Sequence, residues 1–166
     1  MERKSELSNH KPNDILNACL KMEVLCADIY RGLAEIFPGK LFSSENYLFT
    51  TLADSEDRHA FIVKLSMGFE KINEMHKMVD PDMLCQINAA IDFAKDVKSH
   101  IKPEKISLEK MLKMLIEMEE SIAEVFLQNL MRTKKDSSVL SYIQKFYKDE
   151  KQHAEMLKDF QRKHVW

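Results

Sequence analysis

Glycine and proline are scarce in this sequence, three and four residues in a chain of 166. Tight turns draw on these residues, so the shortage points to long helices joined by few loops. Cysteine is sparse as well. Cys19, Cys26 and Cys85 are odd in number and form no C-x-x-C pair, which argues against a disulfide framework, a zinc ribbon or a rubredoxin-type iron site and reads as reduced thiols. No excess of one charge is present: the net charge is −2, with acids and bases interspersed, so nucleic acid would find no basic field to bind. No apolar run approaches the ~20 residues of a membrane span. The polar stretch from Met1 to Lys11 has no apolar segment behind it to act as a signal peptide. These absences lead us to expect a soluble, cytoplasmic protein without a nucleic-acid or membrane partner.

What the sequence does contain is helical periodicity. A chain of this length can bury its apolar surface around one core, and we expect a polar tail over 1–11 and one helical domain over 12–166. From Pro12 to Phe37, Leu16, Cys19, Leu20, Glu23, Cys26, Ala27, Tyr30, Leu33 and Ala34 recur at spacings of three and four, as an amphipathic helix requires. Pro38-Gly39 ends that helix, and Ser43 or Ser44 can cap the next. Its stripe is Phe49, Leu52, Ala53, Glu56, His59, Ala60, Val63 and Met67, with a bend or end near Gly68. Asp80-Pro81 starts an additional helix running to about His100, an insertion in a long connection.

Lys102-Pro103 breaks the pattern and Ser107 caps a third long helix, whose stripe is Leu108, Leu112, Leu115, Glu119, Ile122, Phe126 and Leu130. After a polar turn from Lys134 to Ser138, the last helix carries Val139, Tyr142, Ile143, Phe146, Glu150, His153, Leu157 and Phe160 on one face. Two short connections and one long one predict an all-α, antiparallel four-helix bundle with a crossover between its second and third members.

Six ionisable residues fall in stripes that should be buried: Glu23, Glu56, His59, Glu119, Glu150 and His153. A buried carboxylate costs several kcal/mol unless something compensates it. Two divalent cations would neutralise four glutamates, with each histidine adding a neutral imidazole ligand. Glu and His at i and i+3 share a helix face, so one helix can present both to one ion. Such a set, with one Glu from each remaining helix, matches the known di-iron and di-manganese bundle pattern. It suits iron or manganese; zinc can enter but brings no redox chemistry.

An internal repeat sharpens the choice of ligands. Met22 to Tyr30 aligns without gaps against Met118 to Phe126, selecting Glu119 over Glu117 and Glu120. Glu56-Asp57-Arg58-His59-Ala60 likewise matches Glu150-Lys151-Gln152-His153-Ala154. Glu23 and Glu56 are 33 residues apart and Glu119 and Glu150 are 31 apart, so each hairpin brings its ligands to one level. Tyr30 reads equally as a core aromatic or as a phenol that hydrogen-bonds a ligand carboxylate. Asp149 reads more readily as a solvated surface acid, with an outer carboxylate bonded to a ligand histidine as the alternative; its counterpart Ser55 could do this only weakly. Cys19 and Cys26, flanking Glu23, read as core thiols. His10, His76, His100 and His164 lack an acidic partner in the repeat and should face solvent.

Glu23 with Tyr30 and the two Glu-x-x-His motifs resemble the rubrerythrin and ferritin-like family over nearly the whole chain. The resemblance implies two iron ions bridged by Glu56 and Glu150, and an oxidoreductase that reduces hydrogen peroxide or dioxygen in oxidative stress. The chain departs from rubrerythrins in having no C-x-x-C iron module, which implies a separate electron-donor protein. It also has Leu115, Ile116, Ile122 and Ala123 beside Glu119 where an extra glutamate would be expected, and Phe126 opposite Tyr30 in the repeat. Ferrous-iron oxidation or handling, and a helical interaction module with a structural metal, are the competing readings. Bundles of this family commonly pair, so a homodimer is a candidate assembly.

Overall fold

A computed structural model describes residues 12–36, 44–67, 82–101, 106–132 and 138–164. Among these residues the structure is all-helical: α1 (Pro12–Ile36), α2 (Ser44–Ser66), α3 (Met83–His100), α4 (Leu108–Arg132) and α5 (Ser138–His164). The predicted punctuation at Pro38-Gly39, Ser43, Gly68, Asp80-Pro81, Lys102-Pro103 and 134–137 lies outside the described residues, as do the 1–11 tail and Phe37. So do the side chains of Phe126, Leu130, Val139, Tyr142, Ile143 and Phe146. Ser107 caps α4 as expected, accepting a hydrogen bond from the Lys110 amide at 3.3 Å. The described part of α3 starts at Met83, two residues beyond the predicted start, with Asp82 preceding it in helical conformation and making no side-chain cap.

α1 packs against α2, and α4 against α5. The first pair is antiparallel, because partners rise in α2 as they fall in α1: Asn46 Nδ2 donates to the Ala34 carbonyl at 2.9 Å, Tyr30 stacks on Phe49, and Glu23 meets His59. α2 also runs antiparallel to α5, since His59 meets Asp149 while Ser55 meets His153. Exposed ion pairs such as Arg31–Asp57 at 2.6 Å decorate the seams. Each is worth at most about 1 kcal/mol in water, so apolar packing decides how the helices sit.

The predicted stripes are buried where they are described, except that Leu20, Ala34, Met67 and Leu108 are half-buried. Leu16, Leu33, Phe49, Leu52, Leu112, Leu115 and Leu157 are fully inaccessible. α1 and α4 bury more than their stripes, however: Ile15, Ala18, Met22, Ile29, Met111 and Met118 are also inside. The cause is α3, which packs on both α1 and α4. A helix with neighbours on two sides buries two faces, and one amphipathic stripe understates it.

α3 is therefore more than an insertion in a connection. Its Met83, Ile87, Ala90, Ile91, Ala94 and Val97 join the same apolar core as the stripes of α1, α2 and α4. Ile91→Ala is expected to cost about 2–5 kcal/mol, the range for deleting a buried branched side chain. Urea titration of the purified variant checks this. A loss under about 0.5 kcal/mol, as for an ordinary surface change, would show that α3 is peripheral. Among the described residues no helix is long and apolar enough to cross a membrane.

Candidate metal centre

Glu23, Glu56, His59, Glu119, Glu150 and His153 are the buried polar and charged side chains among the described residues, each between 0 and 4 % exposed. Four helices converge to bring them together. α1 and α4 supply one glutamate each, and the i, i+3 pairs of α2 and α5 supply the rest. The structure arranges them as two four-residue groups whose ligand atoms lie within 4.8 Å of one another: Glu23, Glu56, His59 and Glu150 in one, and Glu56, Glu119, Glu150 and His153 in the other. Glu56 and Glu150 belong to both.

The two histidines share an orientation. Their rings stack with centroids 5.4 Å apart, and each turns Nδ1 inward and Nε2 outward. His59 Nδ1 lies 3.2 Å from Glu56 and 3.3 Å from both Glu23 and Glu150. His153 Nδ1 lies 2.9 Å from Glu56 and 3.6 Å from Glu119. On the outer side His59 Nε2 is 3.2 Å from Asp149 Oδ2, and His153 Nε2 is 3.0 Å from Ser55 Oγ. Asp149 thus lies against a histidine of the cluster while 30 % of its side chain remains exposed. Tyr30, fully buried, donates its hydroxyl to Glu119 Oε1. That contact takes the phenol beyond a purely apolar role.

Burial at this density shifts the ionisation of the cluster. Burial drives Glu23 up to about 8 despite its bond to His59, and burial with the nearby charges of Glu56 and Glu23 drives Glu150 well above the usual carboxylate range. Glu56 goes the other way. Burial opposes its charge, but the nearby imidazoles of His153 and His59 outweigh that and hold it at about 2. The imidazoles rise in turn: burial disfavours their charge, yet Glu119 and Glu56 bring His153 up to about 11, and Glu150, Glu23 and Glu56 raise His59 further.

The donor set fits divalent metal ions. Glu23 Oε1, Glu56 Oε1, Glu119 Oε2, Glu150 Oε1 and His153 Nδ1 are buried with no hydrogen-bond partner. His153 Nδ1 and Glu56 Oε1 face one another at 2.9 Å without bonding geometry. Orphaned buried atoms are costly and rare, and here they converge from four helices. Carboxylate oxygens and imidazole nitrogens in this ratio suit iron or manganese, with zinc also accommodated.

The remaining sequence candidates sort clearly. Cys19 and Cys26 are buried, and burial foremost pushes both thiols up, with the four glutamate charges adding to it at Cys26. Both remain protonated core thiols. Cys85, His100 and His164 are exposed, while His10 and His76 lie outside the described residues. Sequence reasoning missed a cavity of about 290 Å³ between α2 and α5, lined among others by Arg58, Gln152, Ser55, Asp149 and the outer edges of both histidines. No local pattern signals it, because it depends on the separation of the two helices.

Tyr30→Phe tests the phenol. It strips Glu119 of a buried donor and should destabilise the fold by about 1–3 kcal/mol, measured by denaturant titration of metal-free protein. A change under about 0.3 kcal/mol, below the resolution of most such contacts, would reduce Tyr30 to a core aromatic.

No curated protein and no solved structure gives a match to this chain. The rubrerythrin family profile matches residues 14–161, which take in α3 and all six clustered residues. The match spans most of the chain and corresponds to a ferritin-like domain, in keeping with the helical fold, and the chain belongs to the rubrerythrin family.

Proposed function

We infer that this protein is a non-haem di-iron oxidoreductase that reduces hydrogen peroxide or dioxygen with electrons from a separate donor. The observation that carries the reading is the pair of four-residue groups sharing Glu56 and Glu150, with orphaned ligand atoms in both. Bound iron, cycling between ferrous and ferric states, would supply the two electrons that peroxide reduction needs.

The chain's own residues do the rest. Glu23 and His59 would help hold one ion and Glu119 and His153 the other, with Glu56 and Glu150 available to both. Leu115, Ile116, Ile122 and Ala123 are all buried on the flank of Glu119, so the wall there is apolar and excludes water from the carboxylates. The same residues leave that flank without a fifth glutamate. A separate electron donor is consistent with the residues given: they hold no C-x-x-C module, and buried Cys19 and Cys26, whose thiols burial pushes up, are poor exchange thiols.

Stopped-flow mixing tests the reading. Protein loaded anaerobically with two ferrous ions per chain should be reoxidised at least ~10-fold faster by peroxide than by oxygen at equal concentration, a barrier difference of about 1.4 kcal/mol. Continued uptake and oxidation of many ferrous ions per chain would favour iron handling instead.

A further inference from the structure

We propose that the two halves of the centre are inequivalent, and that the half formed by Glu23 and His59 takes its cation first and more tightly than the half formed by Glu119 and His153. This rests on the di-metal reading above and departs from the near twofold symmetry of the six residues themselves. The asymmetry lies in what stands behind them.

Asp149 faces His59 Nε2 at 3.2 Å, and Ser55 faces His153 Nε2 at 3.0 Å. The repeat places these residues at equivalent positions, each immediately before its Glu-x-x-His motif. Their chemistry differs in two ways. A carboxylate accepts a charge-assisted hydrogen bond from Nε2–H and raises the donor strength of the opposite nitrogen, whereas a neutral hydroxyl does so weakly. An ionised carboxylate is also an acceptor only, so it holds a proton on Nε2 and makes Nδ1, which faces the cluster, the nitrogen that yields its proton to a cation. A serine hydroxyl can donate as readily as accept, which permits the tautomer with its proton on Nδ1. That tautomer cannot bind a cation through Nδ1.

The terminal glutamates differ in the same sense. Each has one oxygen without a hydrogen-bond partner, Glu119 Oε2 and Glu23 Oε1, but Tyr30 donates to Glu119 Oε1 and draws charge from it, whereas Glu23 Oε2 lies 3.3 Å from His59 Nδ1. Position 126, aligned with Tyr30, is phenylalanine and carries no hydroxyl. Both asymmetries weaken the His153 half. Asp149 and Ser55 act through the imidazoles and are positioning residues. They border the cavity between α2 and α5.

The test is titration of metal-free full-length protein with cobalt(II), followed by calorimetry and by d–d absorption. Wild type should take up two ions in two resolved steps. Asp149→Asn keeps an acceptor but removes its charge, and should weaken the tighter step by about 10–100-fold, the usual range for such outer partners, leaving the weaker step within about threefold. Ser55→Asp should tighten the weaker step by a similar factor and leave the tighter one in place. A merely structural role for Asp149 would lower both constants together, and that result overturns the proposal. So does an effect of Asp149→Asn on the weaker step alone, or on neither. Failure of wild type to bind any cobalt would instead remove the di-metal reading itself.

Discussion

Glu150→Gln is expected to cut the metal content of reconstituted protein from two ions per chain to one or fewer, while leaving the melting temperature of the chelated protein unchanged or higher. The opposite signs follow from the position of this carboxyl. It is buried, shared by both four-residue groups, and pushed well above the ordinary carboxylate range by burial and by the charges of Glu56 and Glu23. In metal-free protein burial and those charges disfavour its ionised form, and a neutral amide of the same shape keeps the position uncharged. With metal bound the same change deletes an anionic bridge.

Glu56→Gln should behave differently. Glu56 reaches both imidazoles, at 2.9 Å and 3.2 Å, and is the carboxylate that the histidines hold ionised. Its loss should therefore reduce metal content and also destabilise the chelated protein by about 3–5 kcal/mol, the cost of breaking a buried pair. Metal analysis by mass spectrometry with parallel melts of both variants separates the two cases. Equal destabilisation of the chelated protein by both would contradict this account of the cluster.

Removing the metal from wild type is the second large effect. Each ion held at a free concentration about a hundredfold above its Kd adds about 2.7 kcal/mol to the folded state. Two ions give about 5 kcal/mol, and a domain of this size loses about 2–4 °C per kcal/mol, so exhaustive chelation should lower Tm by about 10–20 °C. Adding zinc should restore most of that stability without restoring peroxide reduction, because neutralising the glutamates requires charge and not redox chemistry. Scanning calorimetry of chelated, iron-loaded and zinc-loaded samples makes the comparison. A shift below about 2 °C, less than the expected effect of 1 kcal/mol, would mean that protons compensate the cluster as well as cations do.

Much of this molecule was legible before any coordinates. Helix formation follows a 3.6-residue period and i, i+3 neighbours share a face whatever surrounds them, so the stripes and the two Glu-x-x-His pairs could be read locally. The repeat then distinguished Glu119 from two adjacent acids. The buried partnership of α3 with α1 and α4 was not legible, because its apolar face says that it packs without saying against what.

The same division holds at the site. Sequence alone determined that six ionisable residues would occupy apolar faces, and that such burial demands compensation. Tertiary structure decided what stands behind three of them: Asp149 behind His59, Ser55 behind His153, and Tyr30 on Glu119. These contacts join residues 89 to 98 positions apart. Their existence depends on how far each helix is turned and shifted against its neighbour, quantities that a local pattern does not encode and that packing of the whole core sets.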